Sequence, residues 1–130
     1  MIVVDASAVL EVLLRTSVAP RVEARLFGRQ TLHAPHLLDV EVAQVLRRYA
    51  SRGDISAARG AEALADLAAF PLNRYPPDVL LTRIWELRGN LTAYDAAYVA
   101  LAEVLGAPVV TRDEGLAAAP GHRAVIELIG

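Results

Sequence analysis

Leu91-Thr-Ala-Tyr-Asp-Ala-Ala-Tyr-Val-Ala-Leu-Ala102 reads as the opening of a buried helix, and the layout of the whole chain follows from it. Thr92 can cap that helix, and Asp95 falls in its first turn, at the acidic place of a capping box. Tyr98, Leu101, Ala102 and Leu105 then recur at helical spacing along one apolar side. A carboxylate is thereby held at a helix N-terminus, where the positive end of the helix dipole favours its ionised form. Alone, such a box stabilises a helix end and does nothing more. Three other acids, Asp5, Glu41 and Asp113, also stand beside strand or helix ends, and they give Asp95 a second meaning.

Outward from this helix, the chain alternates strands and helices. Gly106 stops the helix, Pro108 to Thr111 reads as a buried strand, and Asp113 lies just past it. At the start, the β-branched run Ile2 to Val4 is a strand followed at once by Asp5. Ser7 is then placed to cap a helix carrying Val9, Leu10, Leu13 and Leu14. Pro20 suits the first turn of a second helix, with Val22, Leu26 and Phe27 inside and Gly28 as its stop. Thr31 to Ala34 makes a second strand, and Pro35 opens a helix with Leu38, Val42, Val45, Leu46 and Tyr49 on its apolar side and Glu41 near its start. Ser56 caps a helix whose stripe is Ala61, Leu64, Ala65 and Leu67. Leu72 to Tyr75 forms a short strand, and Pro76 and Pro77 begin a helix burying Leu80, Leu81, Ile84, Trp85 and Leu87. A small-residue turn or short helix, Gly115 to Ala119, leads to a last apolar run from Ala124 to Ile129. Alternating strands and helices imply parallel strands joined by right-handed crossovers. The expected fold is a three-layer α/β/α sandwich on a central, mostly parallel sheet, as one domain over residues 1–130.

Composition narrows the function. There is no Cys, which excludes disulfides and thiolate metal sites. All thirteen basic residues are Arg, so no Schiff base, P-loop lysine or lysine partner to a phosphorylated Asp is available. The net charge of −2 argues against gripping nucleic acid by bulk electrostatics. No apolar run approaches the roughly 20 residues that cross a bilayer, and the expected location is the cytoplasm.

Ligands bind parallel sheets at the carboxyl ends of the strands. Asp5 and Asp113 follow strands at that edge, and the helices bearing Glu41 and Asp95 begin there. Carboxylates gathered so closely repel one another unless a cation neutralises them. Oxygen donors without Cys, and with His33, His36 and His122 outside any tight spacing, point to Mg²⁺, or Mn²⁺ in its place, rather than zinc. A divalent ion held there suits phosphodiester hydrolysis. Ser7 and Thr111 flank the acids and can hold a water or a phosphate oxygen. Arg47, Arg48 and Arg52 on one helix, with Arg15 and Arg112 near the acidic edge, are candidate phosphate contacts. Asp39, Glu11 and Glu114 read as surface groups.

The segments Val3-Val-Asp5-Ala-Ser7, Glu41-Val with Val45-Leu46, Thr92-Ala-Tyr-Asp95-Ala-Ala-Tyr98 and Val110-Thr111-Arg-Asp113, in this order, resemble the PIN domain family and within it the toxin ribonucleases of VapC type. The resemblance implies a metal-dependent endoribonuclease with Asp5, Glu41, Asp95 and Asp113 as catalytic and metal-binding residues and Ser7 and Thr111 in support. It implies RNA as substrate, a homodimer, and an antitoxin covering the acidic site with a basic side chain among the acids. The expected reaction is attack of water on an RNA phosphorus, in line with the leaving 3′ oxygen, which yields a 5′-phosphate and a 3′-hydroxyl. Gln44 departs from the pattern, since Asn or a smaller residue is common there. Two other readings stay open: a non-catalytic acidic module that captures a basic partner, and a PIN nuclease of RNA processing with no antitoxin. A receiver-type signalling domain lacks its Lys here, and a haloacid-dehalogenase-like phosphatase would need an acid where Ser7 stands.

Overall fold

A computed structural model describes all residues from Met1 to Gly130. Five short strands, β1 (Ile2–Val4), β2 (Leu32–Pro35), β3 (Leu72–Tyr75), β4 (Val109–Thr111) and β5 (Ile126–Leu128), form one sheet in the order β3-β2-β1-β4-β5. Every pairing is parallel. The β-branched residues of β1 and β4 are buried throughout, as expected of central strands covered by helices on both faces. The covering helices are α1 (Ala6–Leu13), α2 (Ala19–Leu26), α3 (Leu37–Ser51), α4 (Ala57–Ala68), α5 (Leu81–Glu86), α6 (Ala93–Leu105) and α7 (Glu114–Ala118). None is long and apolar enough to cross a membrane.

The chain steps from β1 through β2 to β3, then returns past β1 to add β4 and β5 on its other side. The direction reverses between β1 and β4, and the carboxyl end of such a switch point is where parallel sheets bind ligands. Register makes this concrete. Val4 pairs with Val110, and the Asp5 N–H donates to the Val110 carbonyl at 3.0 Å, so Asp5 and Thr111 emerge side by side.

Several local expectations shift. Pro35 closes β2 instead of opening a helix, and α3 starts at Leu37 after His36. Asp5, not Ser7, occupies the cap position of α1, with no side-chain capping bond. The inner stripe of α4 is Gly60, Ala63 and Leu67, whereas Ala61, Leu64 and Ala65 face outward. In an alanine-rich helix, small residues on every side leave the period weakly marked. The segment after Pro76 begins as a 3₁₀ turn, Asp78–Leu80, whose tighter winding rotates the helix that follows. Leu80 and Leu87 are buried, while Leu81 and Trp85 stand 58% and 67% exposed.

Candidate active site

The switch point opens into a cleft of about 410 Å³ lined by Asp5, Ser7, Glu11, Glu41, Asp95 and Asp113, with Arg48, Tyr49 and Arg112 on its walls. All four sequence-predicted acids thus meet in one cavity, carried by four separate helix starts or turns. Asp5 leaves β1 and is buried. Its Oδ2 accepts from both hydroxyls beside it, Ser7 Oγ at 2.7 Å and Thr111 Oγ1 at 2.8 Å. Those hydroxyls are themselves fixed by the β4 turn: Ser7 Oγ accepts from the Arg112 N–H at 2.9 Å and Thr111 Oγ1 from the Asp113 N–H at 2.9 Å. Both spend their protons on one carboxylate oxygen, so neither occupies Oδ1.

Asp95 enters from α6. Thr92 Oγ1 caps that helix by accepting from the Asp95 N–H at 3.2 Å, which leaves the Asp95 carboxylate out of the cap. Glu41 comes from α3, and its Oε1 accepts from Tyr98 OH at 2.6 Å. Asp113 caps α7 through Oδ1, which accepts from the N–H groups of Gly115 at 2.8 Å and Leu116 at 3.4 Å.

Burial above all raises the Asp5 and Glu41 carboxyls from their ordinary range, against the hydrogen bonds that favour their ionised forms. Asp95 is pushed up to about 6, by burial first and then by the charges of Asp5 and Asp113. The favourable helix dipole is therefore outweighed at Asp95. Burial beside Glu41 and Asp5 drives the Tyr98 phenol upward, so it stays protonated and donates. None of the four acids belongs to any of the salt bridges in the molecule.

The basic candidates divide. Arg48 and Arg112 line the cleft; Arg15 and Arg47 do not. Arg112 is partly engaged, donating through Nη1 to the Ile129 carbonyl at 2.8 Å with Nε 3.7 Å from Glu11 Oε1. Arg15 sits at a positive φ of 53° where α1 ends, and Arg52 pairs with Asp54 at 3.2 Å. Of the histidines, His33 is buried between Thr31 Oγ1 at 2.7 Å and Tyr75 OH at 2.6 Å, away from the cleft.

Two contributors escaped the sequence reading. Glu11 is a half-buried cleft residue, not a surface group, and it lies four residues after Ser7 on one face of α1, a spacing that could have found it. Tyr98 looked like a core residue only. It sits one turn beyond Asp95, which was the available signal.

As the side chains lie, no three His, Cys, Asp or Glu residues are drawn tightly enough to ligate one ion together. Mg²⁺ needs only one or two carboxylates directly and reaches others through its waters. An oxygen-only set without salt-bridge partners, in which the Asp5, Glu41 and Asp95 carboxyls are raised, fits that ion.

A model of the PIN domain matches residues 2–121. A VapC ribonuclease of Mycobacterium bovis is 50% identical over 113 residues, covering 87% of this chain and 86% of the relative. Ribonuclease VapC12 of Mycobacterium tuberculosis is 43% identical over 129 residues, 99% of both chains. The fold is also that of a chain in a toxin-antitoxin complex from Klebsiella pneumoniae, with TM-score 0.67, 16% identity and 91% of each chain covered. The chain belongs to the PIN domain family, among its VapC ribonucleases.

Proposed function

We propose that the chain is a Mg²⁺-dependent endoribonuclease, the toxin of a toxin-antitoxin pair acting in the cytoplasm. The observation that carries this reading is the acidic cleft at the β1/β4 switch point, where burial first, and then the charges of neighbouring acids, disfavour the ionised forms of Asp5, Glu41 and Asp95 and none of them has a salt-bridge partner. A divalent ion there supplies charge stabilisation at a phosphoryl oxygen and makes a water more acidic. Asp5, Glu41, Asp95 and Asp113 hold the ion, directly or through its waters. Ser7 and Thr111 orient Asp5 by occupying a single oxygen of it. Arg48 and Arg112 on the cleft walls meet RNA phosphates flanking the scissile one; Arg15 and Arg47, outside the cleft, reach phosphates further along the strand.

The same negative cleft suits a basic side chain, which is how an antitoxin segment lying over it blocks access to RNA. The names of the relatives and the toxin-antitoxin complex support that partner. A homodimer is part of the reading, supported by the exposed apolar side chains Val79, Leu81 and Trp85.

The test is RNA cleavage by the purified chain in Mg²⁺ or Mn²⁺. Products should carry a 5′-phosphate, EDTA should stop the reaction, and Asp5→Asn or Asp95→Asn should abolish it with the circular dichroism spectrum unchanged. Undiminished cleavage by either variant sinks the assignment of the site. Intact RNA with the wild type in both ions sinks the enzyme and leaves a module that captures a basic partner.

A further inference from the structure

Tyr98 places a polar atom in the centre of the molecule. It is fully buried on α6, the largest of the side chains closed off from solvent, in a core otherwise built of aliphatic residues and alanine. A phenylalanine would fill the same space without the cost of burying a hydroxyl. The hydroxyl is satisfied at one place, by donation to Glu41 Oε1 at 2.6 Å. Tyr98 therefore ties α6 to α3, one turn beyond Asp95.

Glu41 depends on this tie more than the other acids depend on theirs. Asp5 is gripped by two hydroxyls, and Asp113 is held by the N–H groups of its own turn. Glu41 has a longer side chain, with more rotamers to lose, and its one hydrogen bond is to Tyr98. That bond engages Oε1 and leaves Oε2 without a hydrogen bond, on a residue that lines the cleft.

We propose that Tyr98 is a positioning residue for the nuclease reaction: its hydroxyl fixes Glu41 from behind, so that the free carboxylate oxygen faces the cleft. This rests on the nuclease reading given above. Groups that orient an ion's ligands from behind are worth about 10–100-fold in affinity or activity. Removing the hydroxyl leaves Glu41 free to rotate, while the ring and the packing of the core remain.

The experiment compares wild type, Tyr98→Phe, Glu41→Gln and the double variant. Three readouts are needed: melting temperature, kcat and KM for RNA cleavage in Mg²⁺, and the Mn²⁺ binding isotherm followed by electron paramagnetic resonance without RNA. Tyr98→Phe should melt within a few degrees of wild type, lose about 10–100-fold in kcat with KM little changed, and bind Mn²⁺ about 10-fold or more weakly. Because Tyr98 acts through Glu41, the double variant should be no worse than Glu41→Gln alone. Wild-type kcat and Mn²⁺ affinity in Tyr98→Phe overturn the positioning role while the nuclease reading stands. Losses that add to those of Glu41→Gln overturn it too, in favour of a general effect on the fold. A wild type that cuts no RNA overturns the nuclease reading itself, and the Mn²⁺ isotherms then decide alone whether the hydroxyl orients Glu41.

Discussion

Helix α6 carries a carboxylate at each end, and the molecule treats the two in opposite ways. Glu103, in the last turn, has a side chain only 4% exposed. The Arg83 guanidinium grips it in a bidentate pair, at 2.7 and 3.0 Å, and the Arg123 N–H adds a third bond at 2.8 Å. Its carboxyl is pulled down to about 2, chiefly by Arg83. Asp95, in the first turn, has no cationic partner and is pushed up to about 6. The helix dipole alone would order them the other way, favouring the charge at the N-terminus and opposing it at the C-terminus. Partners and burial outweigh it at both ends. One end of the helix is neutralised by partners from the chain itself, and the other has none. The same contrast runs through the fold. Glu127 and Asp39, outside the cleft, have Arg25 and Arg74 as partners, while Asp5, Glu41, Asp95 and Asp113 have none.

The largest effect on stability should come from breaking the neutralised end. Arg83→Ala strands a nearly buried carboxylate and should cost about 2 kcal/mol in chemical denaturation, with RNA cleavage near wild type below the melting range. Glu103 has a depressed folded-state pKa, so its contribution is present above the unfolded value near 4.5 and is lost as pH falls through about 2. Without Arg83 the burial of Glu103 raises its carboxyl, so the cost of Arg83→Ala should be greatest near neutral pH and shrink as acid protonates the stranded group. A cost that stays constant down through the unfolded value near 4.5 would show that the pair is not the source.

A smaller change of opposite sign is expected at the unpartnered end. Asp95 has a raised folded-state pKa, so its charged form burdens the native state at neutral pH. The burden is relieved as pH falls from above about 6 toward the unfolded value of 3.8. Asp95→Asn should stabilise the metal-free protein by about 1–2 kcal/mol near neutral pH, after discounting for solvent screening. Most of that gain should vanish by about pH 4. Thermal melts across pH check this, and a variant less stable than wild type at every pH would contradict it. The smallest effect belongs to the cap. Thr92→Ala should cost about 1 kcal/mol and lower activity only modestly, because Thr92 bonds the backbone N–H of Asp95 and not its carboxylate.

Much of this contrast could be read from sequence, though not evenly. The strands were legible because β-branched runs such as Ile2–Val4 and Val109–Thr111 end in acids or turn residues, and their alternation with helices implied the parallel sheet. The four acids were legible as a set because two follow strands and two begin helices at one edge. Which surface each amphipathic helix buries was less so. Leu81 and Trp85 turned outward because the Pro76-Pro77 pair produces a 3₁₀ turn, and that winding does not register in a count of apolar residues. Ser7 was read as a cap because its type suits one, whereas the register of β1 against β4 turns its hydroxyl onto Asp5. Glu11 and Tyr98 were misjudged because their partners, Arg112 and Glu41, lie far away in sequence. Nor did sequence reveal that Glu103 is neutralised and Asp95 is not, since the difference rests on Arg83 and Arg123 folding back onto one end of α6.

The central claim is that Asp5, Glu41, Asp95 and Asp113 are left without a salt-bridge partner so that a divalent ion can take that place. Calorimetric titration of Mn²⁺ into the metal-free wild type, run alongside Asp95→Asn from about pH 5 to neutral pH, tests it directly. Affinity for the wild type should rise across that range. Near pH 6 binding should release protons, detected as a heat that depends on the buffer, because the ion displaces protons from Asp95. Asp95→Asn should bind at least about 10-fold more weakly, with less proton release. Equal affinity in the two proteins, or no binding to the wild type at neutral pH, would contradict the claim.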